Sequence, residues 1–166
     1  MREYKEGEDM EDKMQLLNLH ISRIREIVDS PFDTNEKLKT ICKLLRDSVP
    51  YYDWVGFYLV YKSKEKELML GPFEGEPTEH VKIPFGKGLC SQAAERKGTL
   101  IVQDVSKETD YLSCSVKVKS EAVIPIFKKG KLVGELDIDS HTLSPFTDED
   151  RRFLEKVCEI VSVLFY

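Results

Sequence analysis

No run of about 18 apolar residues occurs in the 166-residue sequence, so no segment reads as a membrane span. The first ten residues are charged and hold no apolar stretch of the kind a secretory signal needs, which makes a cytoplasmic protein the expectation. Cysteine is scarce. There are four, none spaced as Cys-x-x-Cys, too few for a disulfide scaffold, so any disulfide is expected to be transient and functional. The three histidines, His20, His80 and His141, keep no ligand spacing with any cysteine, and no metal site is expected on that ground. Basic residues are scattered and the net charge is -5, which excludes the Lys/Arg stripe of a nucleic-acid binder. Internal repeats and low-complexity segments are absent. Hydrophobic residues make up 41% of the chain, enough for one core. The expectation is a flexible segment over 1–9 followed by a single domain over 10–166.

Met14, Leu17, Ile21, Ile24 and Val28 recur at three- and four-residue steps, which predicts an amphipathic helix over roughly 10–28. Its apolar stripe is narrow, suited to another helix of the same chain or, as preferred here, of a second subunit. Pro31 disfavours helical backbone at Ser30 and stops it. Asp33 or Thr34 caps a second helix through about Ser48, with Leu38, Ile41, Cys42 and Leu45 on one face. Trp54–Tyr61 is aromatic and β-branched and reads as a strand. Glu67–Leu70 reads as its hairpin partner, 71–75 as a loop, and His80–Pro84 as a short strand.

Gly86 and Gly88 then allow a tight turn into a short helix from Cys90 to Arg96. A cysteine near a helix N-terminus meets partial positive charge, so Cys90 is expected to favour the thiolate. Leu100–Val102 begins another strand. Asp104–Val118 is a long polar loop around Cys114, and long loops in compact domains are often functional. Thr147-Asp148-Glu149-Asp150 is a helix start, after which Phe153, Leu154, Val157, Cys158, Val161 and Leu164 recur on one face. Cys42 and Cys158 both read as core.

The chemistry concentrates between Cys114 and Ser140. Ser120–Phe127 and Leu132–Asp139 read as a hairpin around Lys128-Lys129-Gly130-Lys131. Side chains of a strand alternate faces, so Ala122, Ile124, Ile126, Leu132, Leu136 and Ile138 form one apolar face. The opposite face carries Glu121, Glu135, Asp137 and Asp139. Glu121, Asp137 and Asp139 lie at the open end with Cys114 just upstream. A solvated outer face would also carry acids, and Trp54 and Tyr58 read by themselves as core aromatics. Strands grouped centrally with flanking helices predict an α+β fold on an antiparallel sheet.

Several stretches, in this order, resemble the free methionine-(R)-sulfoxide reductases, which are single GAF-domain enzymes. They are Trp54–Tyr58, Leu70–Phe73, Lys82–Cys90, Ser120-Glu121 and Leu136–Ser140 followed by Phe146–Asp150. The resemblance covers roughly 30–165. It implies a GAF-like central antiparallel sheet, flanking helices and a loop-covered ligand pocket. It also implies a homodimer, electrons from thioredoxin and no bound cofactor. Residue by residue, it makes Cys114 the attacking cysteine and Cys90 its partner. Glu121, Asp137 and Asp139 become pocket carboxylates, with Trp54 and Tyr58 as pocket aromatics. Two departures stand out. His80 stands where many members carry a further cysteine, which leaves Cys90 as the intramolecular resolver. Ser115 follows the cysteine where Asp is usual.

A thiolate reduces a sulfoxide by attacking its sulfur while the oxygen takes a proton, so one acid must be neutral near pH 7. Clustered carboxylates meet that need, because like charges raise at least one pKa. Glu121 and Asp139 are assigned to the oxygen and its proton, and Asp137 to the charge of the cluster or the ammonium. The alternative from another class is a GAF module that binds a small molecule or senses redox state without turnover.

Overall fold

The computed structural model describes residues 6–61, 64–86, 88–109 and 115–165. Helices α1 (Glu6–Asp29) and α2 (Thr34–Ser48) come first, then strands β1 (Trp54–Tyr61), β2 (Lys64–Glu74) and β3 (Lys82–Pro84). Helix α3 (Gly88–Arg96) and strand β4 (Leu100–Val102) follow, then β5 (Ser120–Lys128), β6 (Lys131–Ser140) and α4 (Asp148–Val161). The strands form one sheet in the order β3-β2-β1-β6-β5-β4, antiparallel at each junction. The α+β antiparallel expectation is met. Among the described residues no helix is long and apolar enough to cross a membrane.

From Ser120 to Ile126 the β5–β6 hairpin pairs even with even: Ala122 opposes Ile138 and Ile124 opposes Leu136. An irregularity after Ile126 then sets Phe127 opposite Leu132, so Val133, and not Leu132 as expected, packs on the apolar core. Lys129 and Gly130 both take positive φ (52° and 77°), the backbone of a two-residue type I′ turn. The even apolar face joins Val55 and Phe57 of β1, and α1, α2 and α4 cover it. Leu38, Ile41 and Cys42 of α2 and Leu154, Val157 and Cys158 of α4 are buried there. Each fully buried Leu, Ile or Phe contributes about 1.5–3 kcal/mol, so this face supplies most of the drive to fold.

Helix α1 begins at Glu6, earlier than the apolar periodicity predicts, because a charged turn has no stripe to announce it. Its Leu17, Ile24 and Val28 are buried within the chain, while Met14, Leu16 and Leu19 stay exposed. Strand β2 is longer than expected. The predicted loop from Gly71 continues the pairing, with Gly56 opposite Phe73 and Val55 opposite Glu74. A bulge between Gly56 and Tyr58 absorbs Gly71 and Pro72, and a proline at a bulge breaks no ladder bond.

One buried carboxylate ties three segments together. Asp150 closes a capping box with Thr147. It also accepts from the Tyr51 and Tyr52 hydroxyls, both at 2.7 Å, and from Lys13 Nζ at 3.2 Å. Burial alone would raise its pKa. The Thr147 amide, the two phenols and Lys13 together hold it below the usual value. Asp150→Asn should therefore cost about 3 kcal/mol, measured by urea unfolding. A depressed pKa gives stability that is present above the unfolded value and lost as pH falls through the folded one. The gap between wild type and variant should close in acid; an unchanged gap would assign the loss to packing.

Candidate functional site

The sheet face away from α1, α2 and α4 is acidic. Glu135, Asp137 and Asp139 of β6 share it with Glu121 of β5 and Trp54 and Tyr58 of β1. The register sets Glu121 opposite Asp139, which in turn opposes Trp54 on β1. Asp137 opposes Val123 and Gly56, and Glu135 opposes Tyr58. These acids are not a solvated face. Glu121 is 5% exposed, Asp137 2%, Asp139 1% and Glu135 0%.

Helix α3 lies over this face through Leu89, Cys90 and Ala93. Gly86 (φ 99°) and Gly88 (φ 76°) make the turn into it, and the Gly86 amide donates to Ser91 Oγ. Donor atoms of Cys90, Glu121 and Asp137 all lie within 4.8 Å of one another. With Tyr58 and His80 these residues line a cavity of about 10 Å³, closed by Ile83, Gly88 and Leu89. The Tyr58 hydroxyl donates to the His80 carbonyl at 3.0 Å and holds the approach to β3 against the sheet.

Burial sets the protonation states. It pushes the Cys90 thiol well above its ordinary pKa, and Asp137, Glu135, Glu121 and Asp139 add to the rise. The thiolate expected from the helix N-terminus is overturned, because desolvation and four neighbouring carboxyl groups outweigh the helix dipole. Glu135 is raised well above an ordinary glutamate by burial and by Asp137. Asp137 is also raised by burial, against hydrogen bonds from Glu121 and Cys90.

Trp54 stands at the edge of this arrangement. Its ring stacks on Phe73 with centroids 5.5 Å apart, and its Nε1 donates to the Glu76 carbonyl at 3.0 Å. Gly56 makes room for it: a Cβ there would come 2.3 Å from the ring. Trp54 and Asp139 share the acidic face but do not line the cavity. Cys114 lies outside the described residues. The chain beyond it is anchored by Val118 N to Ser115 O at 3.2 Å and by Lys119 N to Ser140 O at 2.8 Å. Lys117 meets Glu76 at 3.0 Å, which ties this segment to the Trp54 side.

Sequence reasoning placed Glu135 on the correct face and gave it no role; strand parity was the signal. Reasoning from spacing also missed that α3, β5 and β6 bring together three donors that a metal ion accepts. A larger groove of about 790 Å³ lies elsewhere, between α2 and β2, lined by Phe32, Lys39, Leu59 and Pro72 among others. It is open and holds no thiol, so the chemistry points to the small acidic cavity.

The GAF domain family matches residues 33–165. The chain is 36% identical over 122 residues to the free methionine-R-sulfoxide reductase of Escherichia coli, covering 73% of this chain and 72% of that one. The chain belongs to this family of GAF-domain proteins. The free methionine-R-sulfoxide reductase of Saccharomyces cerevisiae is 41% identical over 111 residues, 66% of this chain and 61% of that protein. The X-ray structure of the Neisseria meningitidis free methionine-R-sulfoxide reductase in complex with its substrate matches with a TM-score of 0.86 at 35% identity. That match covers 92% of this chain and 90% of the other.

The neutral state of Glu135 has a measurable consequence. An acid whose folded pKa is raised gives stability that is full below the unfolded pKa and lost as pH rises through the folded one. Glu135→Gln keeps the shape and removes the titration. Its unfolding free energy should gain on wild type as pH rises from weakly acid to weakly alkaline, by up to about 1.4 kcal/mol per pH unit, and its Tm should rise relative to wild type accordingly. A Tm difference that does not vary with pH would show that Glu135 is not held neutral.

Proposed function

We propose that this protein reduces free L-methionine-(R)-sulfoxide to methionine, with Cys114 as the attacking thiol. The observation that carries the reading is the buried cluster of Glu121, Asp137 and Asp139 beside Cys90, in a chain of this family. The Cys114 sulfur attacks the sulfoxide sulfur. The oxygen takes a proton from the Glu121–Asp139 side of the cluster; its bond to the methionine sulfur breaks as a bond to the Cys114 sulfur forms, which leaves a sulfenic acid on Cys114 and releases methionine. The Cys90 thiol then displaces water from that sulfenic acid and a Cys90–Cys114 disulfide forms. Thioredoxin, a dithiol of the reducing cytoplasm, returns both cysteines to thiols and becomes oxidised itself.

Asp137 sets the charge of the cluster or binds the substrate ammonium. Tyr58 walls the cavity, and Trp54 walls the adjoining part of the face. Only a neutral carboxyl group donates a proton, and burial favours that form at Asp137 of the same cluster. The exposed Met14, Leu16 and Leu19 of α1 are suited to the contact of a homodimer.

NADPH consumption with thioredoxin, thioredoxin reductase and free L-methionine-(R)-sulfoxide tests the reading. Turnover is expected with this form and not with the (S) form or a peptide-bound sulfoxide. Cys114→Ser should abolish it. Cys90→Ser should release one methionine per chain and then stop. Glu121→Gln should lower kcat/KM by about 10²-fold or more. Tight binding of the sulfoxide without turnover would favour a GAF ligand-binding or redox-sensing module instead.

A further inference from the structure

We propose that Cys90, Glu121 and Asp137 form a binding site for one divalent cation of borderline softness, zinc above all. One donor atom from each of the three already lies within 4.8 Å of the others. Around a tetrahedral zinc with bonds of about 2.0–2.3 Å the donors sit about 3.5 Å apart, so small side-chain adjustments close the set on an ion. The cavity they line measures about 10 Å³, the scale of a single ion or water.

A second observation points the same way. Asp137 lines the cavity and is 2% exposed, and its Oδ1 has no hydrogen-bond partner among the described residues. Glu135 faces Cys90 from the sheet side, and the two groups interact directly. Among the described residues, no cation figures in the groups that act on Cys90, Glu135 or Asp137. Buried, uncompensated carboxyl groups are costly, and a bound cation removes that cost.

The donor set selects the metal. One sulfur with carboxylate oxygens suits zinc or cadmium, whereas magnesium and calcium take oxygen alone. Binding replaces the Cys90 S–H bond with a sulfur–metal bond and releases the proton to solvent. The site stands whether or not the chain reduces sulfoxides. Where it does, zinc and sulfoxide exclude each other, because both require Glu121 and Asp137, and a metal-bound Cys90 cannot close a disulfide.

The test uses the full chain, reduced and freed of metal with a chelator, and titrated with cadmium. The expected result is one cadmium per chain by native mass spectrometry, with a thiolate-to-cadmium absorption band in the ultraviolet that zinc competes away. The band should persist in Cys114→Ser and vanish in Cys90→Ser. Asp137→Asn should weaken binding at least about 10-fold, as loss of a supporting group around a metal does. Glu121→Gln repeats the test if circular dichroism shows Asp137→Asn to be unfolded. No band at all, a band that survives in Cys90→Ser, or one lost in Cys114→Ser would overturn the proposal. So would an affinity that neither carboxylate variant changes.

Discussion

Four carboxyl groups buried on one sheet face, with a thiol above them, form the constraint on which the site depends. Water would stabilise their charged forms, and α3 excludes it. The result is a cluster that keeps protons at a pH where isolated carboxylates lose them. Sulfoxide reduction needs such a proton, and a cation site draws on oxygens of the same cluster. Both properties follow from strand parity: residues 135, 137 and 139 must share a face, and the register adds Glu121 beside them.

The opposite face makes this arrangement affordable. Its aliphatic side chains pack against three helices and supply the stability that an acidic interior takes away. The Asp150 junction secures this layer by joining α1, the segment before β1 and the start of α4. Two buried acids thus behave in opposite ways. Asp150 has phenols, an amide and an ammonium around it and stays charged, whereas Glu135 has carboxyl neighbours and does not.

Much of this was legible in the sequence. The parity of the β5–β6 hairpin, the Asp33 and Thr147 caps, and the helical faces carrying Cys42 and Cys158 all agree with the structure. Each is a local signal, repeated every two residues or every three to four, or fixed by one hydrogen bond. Features that depend on contacts between distant elements were not legible. The Pro72 bulge required knowledge of what lies opposite Phe57. The state of Cys90 required knowledge of what lies beneath α3. Its helix position was read correctly, and its chemistry was misread, because carboxylates some 30 to 50 residues further along the chain govern it.

The sheet also acts as a partition between thiols. Cys42 and Cys158 lie on the helix-covered side, near the Pro72 and Ile124 carbonyls respectively, and Cys90 lies on the acidic side. Packed layers stand about 10 Å apart, beyond the Cα separation of about 7 Å that a disulfide tolerates. Oxidising equivalents that reach Cys90 therefore cannot pass to the two core cysteines while the sheet is intact. The sheet separates Cys90 from Cys42 and Cys158 by topology, without needing to remove any of them from the chain.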